Sequence, residues 1–169
     1  FELVTSAEYD AAESAVKLSY RYGQRAHEQR LEQYRSALEG VMMLSLREGD
    51  HDTGKAMGIY LYATSSLFET GEDNLTAWDA IVNAKTDHNG YAKAYCIYLL
   101  QAGVDCVKVE TKGADGTPHL IDLANLDGKY YYMDPYGEVT LSDGEGLGCF
   151  GWTRAQCVEN GYQDYFKLI

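Results

Sequence analysis

The spacing of apolar and polar residues along the chain changes character near Gly103. Before it the pattern is helical. Thr5 and Glu8 have the Thr-x-x-Glu spacing of a capping box. Residues 7–38 are rich in helix formers, with Val16, Leu18 and Leu31 as apolar points, which predicts one long helix kinked or broken at Gly23. Gly40 or Gly49 punctuates before Asp50-His51-Asp52, a run suited to capping a second helix that reaches about residue 68, with Met57, Leu61 and Leu67 in its apolar stripe. A turn at Gly71-Glu72-Asp73-Asn74 leads to a short amphipathic piece over 75–82. Lys85-Thr86-Asp87-His88-Asn89-Gly90 then opens a third helix over 91–102, which Gly103 stops.

Beyond Gly103 the period shortens. Residues 104–111 are β-branched, and 120–126 are joined to 129–133 by Asp127-Gly128, a two-residue hairpin signal. With that turn, Leu126 pairs with Lys129, Ile121 faces Asp134 and His119 faces Tyr136. Side chains alternate, so His119, Ile121 and Leu123 share a face with Tyr130, Tyr132, Asp134 and Tyr136, the more apolar and hence core-facing side. His119 and Asp134 become diagonal neighbours, an arrangement in which a carboxylate orients an imidazole. Helices first and an antiparallel sheet after is an α+β order. No repeat or linker divides the chain, so one domain is expected over 1–169: a helical segment at 1–48, a core at 50–136, and 137–169 as loop, glycine-rich at 144–151, with a last short strand near 165–168.

Composition narrows the partners. The chain carries 14 Lys+Arg against 26 Asp+Glu, a formal charge of -12 that repels nucleic-acid phosphates and anionic lipid. No stretch approaches the roughly 20 apolar residues of a membrane span. Phe1 opens directly into Glu-Leu-Val without a charged-then-apolar leader, so a domain excised from a longer chain is expected. Tyrosine is abundant, at 15 residues, and pairs an apolar ring with a polar tip suited to binding surfaces. Cys96, Cys106, Cys149 and Cys157 form no Cys-x2-Cys pair, which removes zinc-ribbon and thioredoxin readings. Cys96 and Cys106 are expected as buried thiols. A disulfide between Cys149 and Cys157 and two free thiols there both stay open.

The runs Ala77-Trp78-Asp79-Ala80-Ile81-Val82-Asn83-Ala84-Lys85, Gly90-Tyr91-Ala92-Lys93-Ala94, His119, and Leu126-Asp127-Gly128-Lys129-Tyr130-Tyr131-Tyr132-Met133-Asp134-Pro135 resemble, in this order, the bacterial transglutaminase-like superfamily. The resemblance spans roughly residues 50–136. It implies a papain-like α+β architecture, with a helix that starts at a nucleophilic cysteine packed on an antiparallel sheet supplying a histidine and an aspartate. It also implies acyl transfer or hydrolysis at amides. The histidine corresponds to His119 and the aspartate to Asp134. Where the family has Cys-x-Gly-Tyr-Ala, this chain has His88-Asn89-Gly90-Tyr91-Ala92.

That departure governs the functional expectation. A thioester needs a thiolate, and an acyl-imidazole on His88 would be far more labile. Cys96 lies two turns into the helix and Cys106 on the next strand, so neither replaces the missing sulfur. The triad positions are therefore His88, His119 and Asp134, with Tyr91, Tyr132 and Tyr136 as ligand contacts near the cleft. The same histidines and aspartate have the composition of a facial metal site, but Asp134 is expected to be occupied with His119, so no metal or other cofactor is expected. His27 and His51 read as solvent-exposed and are set aside. The expectation is a non-catalytic ligand-binding or structural module, a monomeric domain of a larger secreted or cell-surface bacterial protein. Its ligand would be a peptide or cell-wall fragment. The alternative is an amide hydrolase or acyl transferase with His/His/Asp chemistry, with or without a metal.

Overall fold

Residues 4–20, of which 7–20 were expected to be helical, form an antiparallel hairpin in the computed structural model, which describes residues 4–72, 75–142 and 146–169. Strands β1 (Val4–Asp10) and β2 (Ala15–Tyr20) pair from Val4↔Tyr20 to Asp10↔Ala15. Turn chemistry overrides helix propensity here. The Asp10 carboxylate accepts from the backbone N–H of Ala12 and Glu13 at 2.9 and 3.3 Å and from Lys17 Nζ at 2.6 Å, which closes the loop locally. Tyr9, Val16, Leu18 and Tyr20 are the β-branched and aromatic residues that a pleated ribbon favours. Thr5 and Glu8 lie in β1 and form no capping box. Phe1, and Asp73 and Asn74 of the expected turn, lie outside the described residues, as do Gly144 and Glu145 of the glycine-rich stretch.

Helix α1 (Gln24–Ser45) starts after Gly23, which is its N-cap rather than a kink. Helix α2 (Asp52–Ser66) buries Ala56, Ile59, Tyr60 and Ala63. Met57 and Leu61, expected on its apolar stripe, are 39% and 41% exposed, while Leu67 at its C-cap is buried. His51 occupies the N-cap without capping. The hairpin residue Asp127 takes that role, its carboxylate accepting from the N–H groups of Asp52 and Thr53 at 3.1 and 3.4 Å and from Thr53 Oγ1 at 2.6 Å. A short parallel pair, β3 (Phe68–Glu69) and β4 (Lys85–Thr86), brackets α3 (Ala77–Asn83), which Thr76 and Asp79 open with a reciprocal capping box. Helix α4 (His88–Gln101) is the central element. Gly90, Tyr91, Ala94, Tyr95, Tyr98 and Leu99 are all buried along it, and Gly103 ends it at φ 78°. Ile59 and Leu99, both fully buried, each stabilise the fold by about 2 kcal/mol.

The sheet runs in the order β7-β6-β5-β8, with β5 (Cys106–Lys112), β6 (Pro118–Leu126), β7 (Lys129–Met133) and β8 (Lys167–Leu168). Asp127 and Gly128 have φ 52° and 87°, the left-handed pair of a type I′ turn, and Leu126 pairs with Lys129. The ladder ends at Asp122↔Met133. Tyr136 therefore does not pair with His119, because the chain leaves the sheet at Asp134 and turns into α5 (Pro135–Ser142). The face assignment also changes. The core under α4 takes Cys106, Ala124, Leu126 and Met133, the side opposite to His119, Ile121 and Leu123. That second side is covered by the segment carrying α6 (Arg154–Glu159), with Tyr162 over His119 and Phe166 against Tyr132. Residues 137–169 thus hold two helices where loop was expected.

Candidate active site

At the start of α4, Asp87 caps the helix, its carboxylate accepting from Gly90 N at 2.7 Å. A Cβ at Gly90 would collide with Thr86 Oγ1, so glycine is required for the helix to begin so close to β4. His88 is the first helical residue and is exposed. Its polar neighbour is local: Asn89 Nδ2 donates to His88 Nε2 at 2.9 Å.

On the sheet side, His119 Nε2 donates to Asp134 Oδ2 at 2.9 Å, with the side chains 15% and 1% exposed. A carboxylate only accepts, so in the neutral imidazole the proton sits on Nε2 and the lone pair on Nδ1. Tyr162 Oη donates to the same Oδ2, and Gly137 N donates to Oδ1 at 2.9 Å. The Tyr162 ring stacks on His119 with centroids 5.5 Å apart and planes at 18°. Burial, followed by the charge of Asp134 and the bond to it, holds the Tyr162 phenol well above its ordinary range. Asp134 with Pro135 is also the start of α5, a cap followed by a first-turn proline. A Cβ at Gly137 would strike Asp134 Oδ2, so the glycine is what lets this carboxylate serve both the helix and the imidazole.

Behind the pair lies a second buried carboxylate, Glu138, 1% exposed. Its Oε2 accepts from Cys149 N at 2.7 Å and from Tyr60 Oη at 3.2 Å, and Tyr60 Oη also reaches the Asp134 carbonyl at 3.0 Å. All four cysteines are buried free thiols. Cys149 and Cys157 are pushed up to about 12, first by burial and then by the negative charge of Asp134. They are protonated and unreactive at neutral pH.

Both histidines line one cavity of about 430 Å³, with Asn89, Lys93, Glu110 and Ile169 on its walls. The structure brings His88, His119 and Asp134 to one place. Tyr136 lies between the imidazoles, its ring centroid 6.1 Å from His88 and 6.0 Å from His119. Tyr91, expected at the cleft, is 1% exposed in the core and donates to the Leu67 carbonyl at 3.1 Å. Tyr132, also expected there, lies on the same sheet face as His119 but outside the cavity, bonded through its backbone to Trp152 and packed on Phe166. Sequence reasoning passed over Tyr162 and Glu138. No local motif marks Tyr162, whereas the Asp-Pro cap followed by Glu138 four residues on was a usable signal for α5.

Taken together, a helix that starts at the cleft and packs on an antiparallel sheet bearing a His–Asp pair makes an α+β fold similar to that of a solved TGase. A solved TGase superposes on this chain with a TM-score of 0.54 at 12% identity, covering 78% of this chain and 37% of the TGase. A cysteine-protease candidate from Cytophaga hutchinsonii gives 0.49 at 14% identity, covering 61% of this chain and 37% of its own. A protease candidate from Parabacteroides distasonis ATCC 8503 gives 0.45 at 14%, with 69% and 27% covered. The chain thus spans little more than a third of the TGase it resembles. No family model matches the sequence, and no curated protein matches it.

Proposed function

We propose that this chain is a transglutaminase-like domain that has lost its catalytic cysteine and serves as a non-catalytic ligand-binding or structural module of a secreted or cell-surface bacterial protein. One observation carries the reading: the residue at the start of α4, in the same cavity as the His119–Asp134 pair, is His88. No thiol replaces it, since all four cysteines are buried. The cavity offers Asn89 and Thr117 as hydrogen-bonding groups and Lys93 and Glu110 as charges of both signs. That chemistry suits a peptide or a cell-wall fragment with amide and carboxylate groups. The surface setting rests on the family resemblance.

The test is mass spectrometry of a pool of cell-wall and surface peptides after incubation with the unmodified protein. Retention of unchanged peptides, lost when Lys93 and Glu110 are both replaced by alanine, is the expected result. New masses that disappear in His119→Ala would overturn the non-catalytic reading. They would favour the second reading, acyl chemistry by the histidines, for which the intact His119–Asp134 bond speaks.

A further inference from the structure

Away from the cleft, two turns along α4 from His88, two thiols and a carboxylate converge. Cys96 of α4, Cys106 of β5 and Asp122 of β6 are 6%, 7% and 0% exposed, and one ligand atom from each lies within 4.8 Å of the others. Asp122 is the anomaly in this group. Among the described residues, its Oδ1 accepts a hydrogen bond only from the Cys106 thiol, at 3.8 Å, and its Oδ2 has no hydrogen-bond partner although it is fully buried. A buried carboxylate oxygen without a donor is costly, and native structures meet that cost with a proton, a water or a cation.

We propose that Cys96, Cys106 and Asp122 form a buried site for a borderline-soft divalent cation, Zn2+, distinct from the histidine cleft. The chemistry of the donors selects the metal: two thiolates exclude Mg2+ and Ca2+, which take oxygen ligands, and a carboxylate completes a set that zinc accepts. The spacing fits. Ligands at about 2.3 Å for sulfur and about 2.1 Å for oxygen, at tetrahedral angles, stand roughly 3.6 Å apart, against the 3.8 Å between Cys106 Sγ and Asp122 Oδ1. The charges nearly balance. Two thiolates and a carboxylate exceed the cation by one negative charge, and Lys108, directly opposite Asp122 in the β5–β6 register, favours the ionised forms of Cys96 and Asp122. Metal binding releases both thiol protons and any proton held by Asp122. The three ligands come from one helix and two strands, so the ion ties α4, whose first residue is His88, to the strand that carries His119.

The experiment is elemental analysis of the full chain purified without an affinity tag, alongside Cys96→Ser, Asp122→Asn and His88→Ala, with circular dichroism to verify folding. About one zinc per chain is expected in the unmodified protein and in His88→Ala, falling at least tenfold in the other two. A readout that needs no variant is reconstitution with Co2+, which should give a thiolate-to-cobalt charge-transfer band in the near ultraviolet. Chelation should lower the Tm by several degrees. Three results overturn the proposal: four free thiols on denaturation with no metal and no cobalt band; a Cys96–Cys106 disulfide; or metal that survives Cys96→Ser and is lost in His88→Ala.

Discussion

His119 and His88 line the same cavity, but the structure supports them very differently. His119 is anchored by a buried carboxylate that three donors share, is stacked by Tyr162, and rests on a helix start that the same carboxylate caps. His88 is exposed and, among the described residues, hydrogen-bonds only to its chain neighbour Asn89. Orienting an imidazole takes contacts from β6, α5 and the segment after α6, and all of them are in place. The nucleophile side of such a site needs little beyond a helix N-terminus, so exchanging its side chain disturbs nothing else. The two sides of the cleft are stabilised separately: the His119 side by contacts from several elements, the His88 side by its own helix start.

Perturbing the two halves should break this contrast if it is wrong. The largest effect is expected from Asp134→Ala, which leaves His119, Tyr162 and the Gly137 N–H without their acceptor. Chemical denaturation should show a loss of about 3 kcal/mol. Raising the pH attacks the same half. Cys149 and Cys157 titrate at about 12 in the folded protein against an ordinary value near 9, so above pH 9 the unfolded chain releases protons that the folded chain keeps. Stability therefore falls progressively from pH 9 to about pH 12, measurable as a steadily decreasing Tm. Tyr162→Phe keeps the stacking and removes one donor to Asp134, an expected loss of about 1 kcal/mol. His88→Ala should move stability by less than about 0.5 kcal/mol. If it costs as much as Tyr162→Phe, the two halves are coupled and the contrast fails. His88→Cys sharpens it from the other direction: the new thiol should take up iodoacetamide faster than the four buried cysteines, because His119 and the helix start lower its pKa.

Much of the cleft was legible before the structure. Asp127-Gly128 announces its turn because the two residues tolerate left-handed φ, and that turn sets the register that brings His119 near Asp134. Gly103 stops α4 for the same conformational reason. The errors share another cause. The spacing of Thr5 and Glu8 resembles a helix cap, but Asp10 closes a turn with Ala12, Glu13 and Lys17 and the segment becomes a hairpin. Met57, Leu61, Tyr91 and Tyr132 were assigned to faces from their own neighbourhoods, and each face was decided by what packs on it. Asp127 caps a helix 75 residues away, a contact no local pattern encodes.

The sequence by itself determined the order of the main elements from the third helix to the hairpin, the residues of the His119–Asp134 pair, and a histidine at the start of α4. These rest on turn chemistry, alternation and capping, which act over a few residues. Only the tertiary structure decided which side of the sheet meets the core, that Tyr162 stacks on His119 and shares its carboxylate, and that Cys96, Cys106 and Asp122 meet in the interior. Burial and pairing depend on which distant segments pack together, and that information is spread over the whole chain.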